Sequence, residues 1–501
     1  MASKPVNMIS RRFFIGGGLA CGALAGSRLW AGAAAASDLG RPNLRLGVLS
    51  DIHVSQKSGG GSDCATFRHA LEWFRDQGVD AVTVTGDLTN NGTVEELSAV
   101  LETWREIFPD DRAPDGRKVE RIFLLGNHDF HGYLYGGFGE KAYPDPVERA
   151  RHVLRADLPN RWRELCREDY SRFFRREVRG YVFLGQHWDD GKGYGSGIGS
   201  SRFGVPLADY LAKDGKKLDP ARPFFYLQHA HLKDTCYGPW AWGHDTGVAT
   251  RALSAFPNAV ALSGHSHYPL TDERSVWQES FTAVGAASLR YAGLPCDELA
   301  PHGYENSEAV GKTAADEDAV KTMARMKVRD TRQGMLWSVY DDRIVIRRRD
   351  FACDLDLGAD WTLPLPAADR RPLAFAVRKK KARAPEFAAD AKLSVSRVQA
   401  KTRAGVEKAA VEMLIPPARA LKGSRPYAYA VTIGNSSGKG TEFRLLAEGF
   451  CHASGHRRAS TPSRLAVSLD RVPPGADSVF VRPLDCWGNA GRPLSARMSF
   501  A

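Results

Sequence analysis

Short segments of this 501-residue chain carry residue types suited to metal chemistry: Asp51-Ile52-His53, Gly86-Asp87, Gly126-Asn127-His128-Asp129, an isolated His229, and Gly264-His265-Ser266-His267. Carboxylate oxygens and imidazole nitrogens are ligands for zinc, manganese and iron. In this order the segments predict a two-metal hydrolytic centre. Asp87 is the natural bridge, since one carboxylate offers an oxygen to each of two ions. Asn127 adds a neutral amide oxygen, which limits negative charge. If the backbone is still extended at Asp51-x-His53 and His265-x-His267, alternation puts both side chains of each pair on one face. Glycines 86, 126 and 264 allow sharp turns and close approach to a ligand. Each segment is weak alone, because D-x-H and G-D are common and a histidine pair such as His265/His267 can be satisfied by ordinary hydrogen bonds. Their conjunction carries the reading.

The elements that must position these residues are legible as apolar runs. Leu44 to Ser50, Val79 to Thr85, Arg121 to Leu125, Pro223 to Leu227 and Ala259 to Ser263 each end at one of the segments, and Tyr181 to Gly185 is a sixth run. Helical spacing fills the gaps, with Phe67, Leu71 and Phe74, then Leu97, Leu101, Trp104 and Ile107. Strands alternating with helices predict an α/β layered core. In such sheets ligands bind outside the carboxyl ends of the strands. Later strands, 281–289, 335–340 and 343–348, lack helical crossovers, and Asp341-Asp342 marks a hairpin. Residues 131–180 form an insertion rich in aromatics and arginine, expected to cap the site. Residues 297–332 read as a second lid or an exposed excursion.

The conjunction of motifs resembles the full signature of the calcineurin-like metallophosphoesterases, over roughly residues 44–350, with no core element substituted. The resemblance implies an α/β/β/α four-layer sandwich and a dinuclear centre of divalent or trivalent transition-metal ions (Mn, Fe or Zn). By resemblance, Asp51, His53, Asp87 and His267 hold the first ion, and Asp87, Asn127, His229 and His265 the second. His128 then serves as the catalytic group that stabilises charge or protonates the leaving alkoxide. Asp129 is expected to orient His128 through a hydrogen bond, with helix capping as its alternative role. The expected reaction is hydrolysis of a phosphodiester on a small molecule, glycan or lipid head group. A phosphomonoesterase is the alternative. A non-catalytic surface-binding protein is disfavoured, because no motif residue is lost.

The rest of the chain says where this chemistry works. A length of 501 residues exceeds one core. Expected boundaries are a signal over 1–36, a catalytic domain over 40–360, a linker over 361–387 and a C-terminal β-sandwich over 388–501. Short alternating strands at 393–398, 427–433, 442–446, 465–469 and 478–483, separated by turns such as Pro473-Pro474-Gly475, suggest an immunoglobulin-like or fibronectin-like sandwich. Ser10-Arg11-Arg12-Phe13-Phe14-Ile15, a Gly/Ala-rich run and the tract Ala31 to Ala36 resemble a twin-arginine export signal. It implies the twin-arginine machinery as a partner and a periplasmic or secreted mature chain. Arg28 interrupts the run, so a membrane anchor is not expected. Lipidation at Cys21 is disfavoured by Gly18. The net charge of +11 drops to +7 once Lys4, Arg11, Arg12 and Arg28 are removed.

Eight cysteines, seven beyond the signal, are scattered without C-x-x-C spacing, which argues against a full disulfide framework. The basic run Arg378 to Arg383 lacks interleaved aromatics and reads as a solvated linker, so no nucleic-acid partner is expected. His131, His187, Trp188, His231, Tyr237, Trp240, Trp242 and His244 lie near motif segments and are outer candidates for shaping a pocket. Gly59-Gly60-Gly61 lacks the lysine and hydroxyl of a phosphate loop.

Overall fold

The computed structural model describes residues 40–55, 61–188, 203–237, 245–295, 303–306, 325–367, 371–401, 406–421 and 424–498. The expected signal, Gly59-Gly60, Trp240, Trp242 and His244 lie outside the described residues. The chain runs through β1 (Leu44–Leu49), α1 (Gly61–Asp76), β2 (Ala81–Val84), α2 (Val94–Ile107) and β3 (Glu120–Phe123). Thr93 caps α2 by accepting from the Glu96 N–H at 3.3 Å, and Leu97, Val100, Leu101, Trp104 and Ile107 form its buried stripe.

After α3 (Asn127–His131), which carries the motif, the insertion contains α4 (Phe138–Ala142), α5 (Pro146–His152), α6 (Leu158–Cys166) and β4 (Phe173–Val178). Leu158, Trp162 and Cys166 of α6 pack into the same cluster as α1 and α2. The insertion is therefore partly core rather than a cap along its whole length. Next come β5 (Tyr181–Gln186), α7 (Val205–Asp214), β6 (Phe224–Gln228), α8 (Val248–Leu253), β7 (Ala259–Ser263), β8 (Val276–Gln278) and β9 (Thr282–Gly285). They make a sheet of order β4-β5-β6-β7-β9-β8, parallel at its centre and antiparallel at both edges.

A short antiparallel arm follows, β10 (Ala292–Pro295) with β11 (Arg325–Val328). Then β12 (Gln333–Val339), β13 (Arg343–Asp350), β14 (Leu355–Asp356) and β15 (Trp361–Pro364) return to the first sheet. Its order is β14-β13-β12-β1-β2-β3, with β15 also on β13. The β12–β13 hairpin turns at Asp341-Asp342, as the sequence suggests.

Period-two alternation builds the layers. Leu44, Leu46, Val48, Trp337 and Ile346 of the first sheet meet Phe183, Phe225, Leu227, Val260 and Leu262 of the second in one central core. The opposite faces carry α1, α2 and α6 on the first sheet and α7 and α8 on the second. The result is the four-layer α/β/β/α sandwich.

The C-terminal region holds α9 (Phe375–Lys381), β16 (Ser394–Lys401), β17 (Glu407–Ile415), β18 (Ala428–Gly434), β19 (Gly440–Leu446), β20 (Ser463–Ser468), β21 (Ser478–Leu484) and β22 (Leu494–Arg497). Two antiparallel sheets, β16-β17-β20 and β19-β18-β21-β22, enclose one core, an all-β sandwich. The stretch 361–387 is not a plain linker. Trp361 and Leu363 lie on β15 inside the central core, and Leu365, Ala367 and Leu373 join them. Nor is the whole basic run solvated: Arg378 reaches Glu273 at 3.1 Å, while Lys379 to Lys381 are exposed. Two prolines and a charge run conceal this alternation in the sequence. Cys166, Cys236, Cys353, Cys451 and Cys486 are free thiols. No helix among the described residues is long and apolar enough to cross a membrane.

Candidate metal centre

The ends of β1, β2, β6 and β7 and the start of α3 bring all the motif residues together. Asp51, His53, Asp87, Asn127, His229 and His267 are buried, while His128 and His265 are half-buried. Around Asp51 Oδ1, His267 Nε2 stands at 3.0 Å and His53 Nε2 at 3.6 Å, and the two imidazole nitrogens are 3.2 Å apart. Around Asn127 Oδ1, His265 Nδ1 stands at 2.8 Å and His229 Nε2 at 3.2 Å. Asp87 Oδ2 joins the two sets, 3.5 Å from His53 Nε2 and 3.2 Å from His229 Nε2. The bridge differs from expectation: one oxygen faces both sets, because Oδ1 accepts from the His128 backbone N–H at 2.8 Å.

Two donors each about 2.1 Å from one ion lie roughly 3.0–3.4 Å apart when their bonds diverge by 90–109°. Most of the observed separations fall in or near this range. Asp51 Oδ1 is buried and accepts no well-formed hydrogen bond, although its partner Oδ2 takes one from Ser50 Oγ and one from His265 N. A carboxylate oxygen left bare among imidazole nitrogens fits a cation and little else. The donor set therefore fits two transition-metal ions.

The pairs Asp51/His53 and His265/His267 do not share a face by strand alternation. Asp51 (φ 52°), His53 (φ 51°), Asp87 (φ 53°), His265 (φ 69°) and His267 (φ 58°) all have left-handed backbones. Each costs of order 1–3 kcal/mol, and such residues cluster where surrounding structure holds them for function. Here backbone bonds from Asp51 N to Gly86 O and from His53 N to Asp87 O lock the first turn to the second. At Gly86 (φ 110°) a Cβ would stand 2.3 Å from His229 Nδ1, and at Gly126 it would stand 2.2 Å from Asp87 Oδ1. Both glycines are required by close approach.

Carbonyls aim the rings. His229 Nδ1 donates to Thr85 O at 2.8 Å and His267 Nδ1 to Tyr291 O at 3.2 Å, so each turns Nε2 inward. Burial would raise the carboxyls, but His267 and His229 hold Asp51 well below the usual range, and His229 and His128 do the same for Asp87. Burial lowers His53 to about 3, with His128 adding to it. Burial works against protonation of His229 too, yet Asp87 and Asp51 raise it to about 9.

His128 sits beside this set, with a ring nitrogen within 4.8 Å of the His53 and Asp87 donors. Its ring stands edge-on between His53 and Tyr135, at centroid distances of 4.5 and 4.7 Å. The expected Asp129–His128 bond is not made. His128 Nδ1 bonds to the Asn90 carbonyl at 2.7 Å. Asp129 instead accepts from Gly126 N, Leu88 N, Thr89 N and Thr89 Oγ1 at 2.7–3.2 Å, capping α3 and tying it to the β2 loop. Consecutive residues at a helix start point about 100° apart, so neighbours in sequence need not meet. Burial and the Asp87 charge press Asp129 upward, opposed by these donors.

The outer candidates divide. Trp188 packs on His229 and His265, at 5.8 and 5.5 Å. His231 lies behind the site: its ring spans Ser263 Oγ and Ser266 Oγ, supporting the turn between His265 and His267, and burial lowers it to about 4. His187 accepts from Leu125 N at 3.0 Å, and Tyr237 packs with Tyr268 in the outer core of the second sheet. His131 is buried against Arg155. Three supports had escaped notice. Tyr135 Oη accepts from Asn127 Nδ2 at 3.0 Å, the Asn90 carbonyl holds His128, and Ser288 Oγ bonds Asp51 O at 3.1 Å. None had a signal in the sequence: Ser288 lies inside the expected strand 281–289, which the structure ends at Gly285.

The layered sheets and the paired donor sets define a metal-dependent hydrolase of the α/β/β/α class. The chain matches the calcineurin-like phosphoesterase family model over residues 44–269. It is a metallophosphoesterase, a hydrolase of phosphoric ester bonds. Among solved structures it is similar to a dimetal phosphatase from Danio rerio (12% identity, 64% of this chain and 99% of that one, TM-score 0.36). It is also similar to a purple acid phosphatase from yellow lupin, Lupinus luteus (14%, 64% and 54%, TM-score 0.34). A third is the phosphopantetheinyl hydrolase from Mycobacterium tuberculosis (18%, 50% and 91%, TM-score 0.28). No curated protein matches the chain.

Proposed function

We propose that the chain is an exported phosphodiesterase with a dinuclear centre. Asp51, His53, Asp87 and His267 hold one ion, and Asp87, Asn127, His229 and His265 hold the other. When bound, two such ions supply Lewis acidity toward phosphate oxygens and lower the pKa of water. The observation that carries the reading is a donor set joined through Asp87 Oδ2, beside a histidine that no ion requires.

The chain's own residues do the rest. The Asn90 carbonyl takes the Nδ1 proton of His128 in a hydrogen bond, which leaves Nε2 as the position that exchanges a proton. His128 Nε2–H then protonates the departing alkoxide, a poor leaving group without it. A monoester releases the same alkoxide, so this group serves either ester, and the rate comparison below assigns the class. His53 and Tyr135 on either side keep the ring from turning away. Trp188 covers His229 and His265 on the second-ion side and limits water there.

The deciding experiment compares rates on bis(p-nitrophenyl) phosphate and p-nitrophenyl phosphate with manganese, zinc or iron. A monoester preferred by tenfold or more under every metal would overturn the diesterase reading. Export rests on the Arg11-Arg12 pair and the apolar run behind it. Replacing both arginines by lysine should leave the full-length precursor in the cytoplasm; unchanged secretion would sink that part.

A further inference from the structure

We infer that the C-terminal β-sandwich is the buttress of His267, acting through the β10–β11 arm. Tyr291 and Gly293, at the root of the arm, are positioning residues for that ligand. The inference rests on the two-ion reading of the site.

The arm touches the ligand directly. Gly293 N–H donates to the His267 carbonyl at 2.8 Å, and the Tyr291 carbonyl accepts from His267 Nδ1 at 3.2 Å. The Tyr291 ring lies 4.2 Å from the His267 ring, and Lys327 on the facing strand covers Tyr291 at 5.2 Å. His267 holds a left-handed backbone, so something must keep its turn from relaxing. A bond to its backbone carbonyl and one to its ring restrain both the turn and the side chain.

The apolar side chains of the arm in turn pack into the sandwich core. Ala292, Leu294, Tyr304 and Val328 belong to the sandwich core, with Val411, Met413, Val431 and Val467. Tyr304 meets Tyr427 edge-on at 6.2 Å. Beside it, the Asn306 amide makes two bonds to the backbone of Leu446 at the end of β19, each 3.0 Å. Glu305 N–H donates to Arg444 O at 2.8 Å, and its carboxylate takes two bonds from Arg471 at 2.9 and 2.6 Å. A continuous packed path therefore runs from the sandwich core, through two residues of β10, to one ligand of one ion. The second-ion ligands Asn127, His229 and His265 have their own supports in Tyr135, Thr85 and Trp188.

The test uses the full-length, metal-loaded protein. Leu294→Ala opens the shared core, and Asn306→Ala removes the clasp on Leu446 with little loss of packing. Ion release into excess chelator is followed at a temperature where circular dichroism shows native structure. Groups that orient metal ligands typically change metal affinity 10–100-fold. One of the two ions should leave 10–100-fold faster from each variant, splitting release into two phases, while the other keeps its wild-type rate. Release of both ions at wild-type rates from folded Asn306→Ala overturns the inference, as does equal acceleration of both. If Leu294→Ala does not fold, Asn306→Ala decides alone. Asp87→Asn is the control for the underlying reading: should it also keep both ions, the two-ion assignment falls rather than the buttress.

Discussion

His187 offers a test of the packing behind the site. The ring is buried, 2% exposed, between Trp162, Tyr170 and Phe174, and its Nδ1 accepts from the Leu125 N–H just before the Gly126 turn. Burial, helped by Arg176, depresses it from 6.5 to about 3. The folded protein thus needs the neutral ring, while the unfolded chain takes up a proton below 6.5. Stability from this site is complete above about pH 7 and falls as the pH drops toward the folded value. The linkage relation gives a loss of about 0.8 kcal/mol near pH 6 and about 2 kcal/mol near pH 5. His187→Asn keeps an acceptor for Leu125 N but removes the titrating ring. We expect it to be less stable than wild type by about 2 kcal/mol near pH 8, from lost packing. The gap should close as the pH falls to about 5. Urea unfolding of both metal-free proteins across this range measures the difference, so that acid effects on the other histidines cancel. Parallel curves would refute the assignment of a neutral, acid-sensitive His187.

Three further outcomes follow from the site. His128→Ala should keep both ions but lose roughly 10²–10⁴-fold in kcat, the usual worth of a general acid; full turnover beside intact metal content would remove the residue from the mechanism. Gly126→Ala places a Cβ 2.2 Å from Asp87 Oδ1 and 2.5 Å from its backbone N. Overpacking of about 1–3 kcal/mol and loss of bound metal are expected, measured by thermal unfolding and elemental analysis. Asp129→Asn turns an amide N–H₂ toward at least one buried backbone donor, at about 1–3 kcal/mol. The variant should melt lower while the pH dependence of its residual activity stays where it was; a displaced pH profile at unchanged stability would restore the His128 partnership that the geometry denies.

Much of the fold was legible because each layer has its own periodicity. Alternation in Leu44-x-Leu46-x-Val48 and the stripe from Leu97 to Ile107 placed strands and helix without help. The strand at Trp361 was missed because prolines and charges crowd its pattern, and its place on β13 depends on a partner far off in the chain. The arm of β10 and β11 was missed for the same reason, since its apolar residues are completed by a core beginning a hundred residues later. Trp188 stood out as a candidate, but its place over His229 and His265 needed three separate strands to converge.

The sequence alone determined the donor inventory: which carboxylates and imidazoles lie at strand ends, and that their types suit two cations and one free histidine. That follows from chemistry carried by single residues and from local periods of 2 and 3.6. Tertiary structure decided their conformation and their partners. Five ligand backbones are left-handed; Asp and His enter that region more often than most residues but still rarely, so long-range bonds such as Asp51 N to Gly86 O and His53 N to Asp87 O, not local propensity, select it. Asp129 caps a helix and Asn90 aims His128, because the residues that meet at a site are those whose elements converge, not those adjacent in the chain.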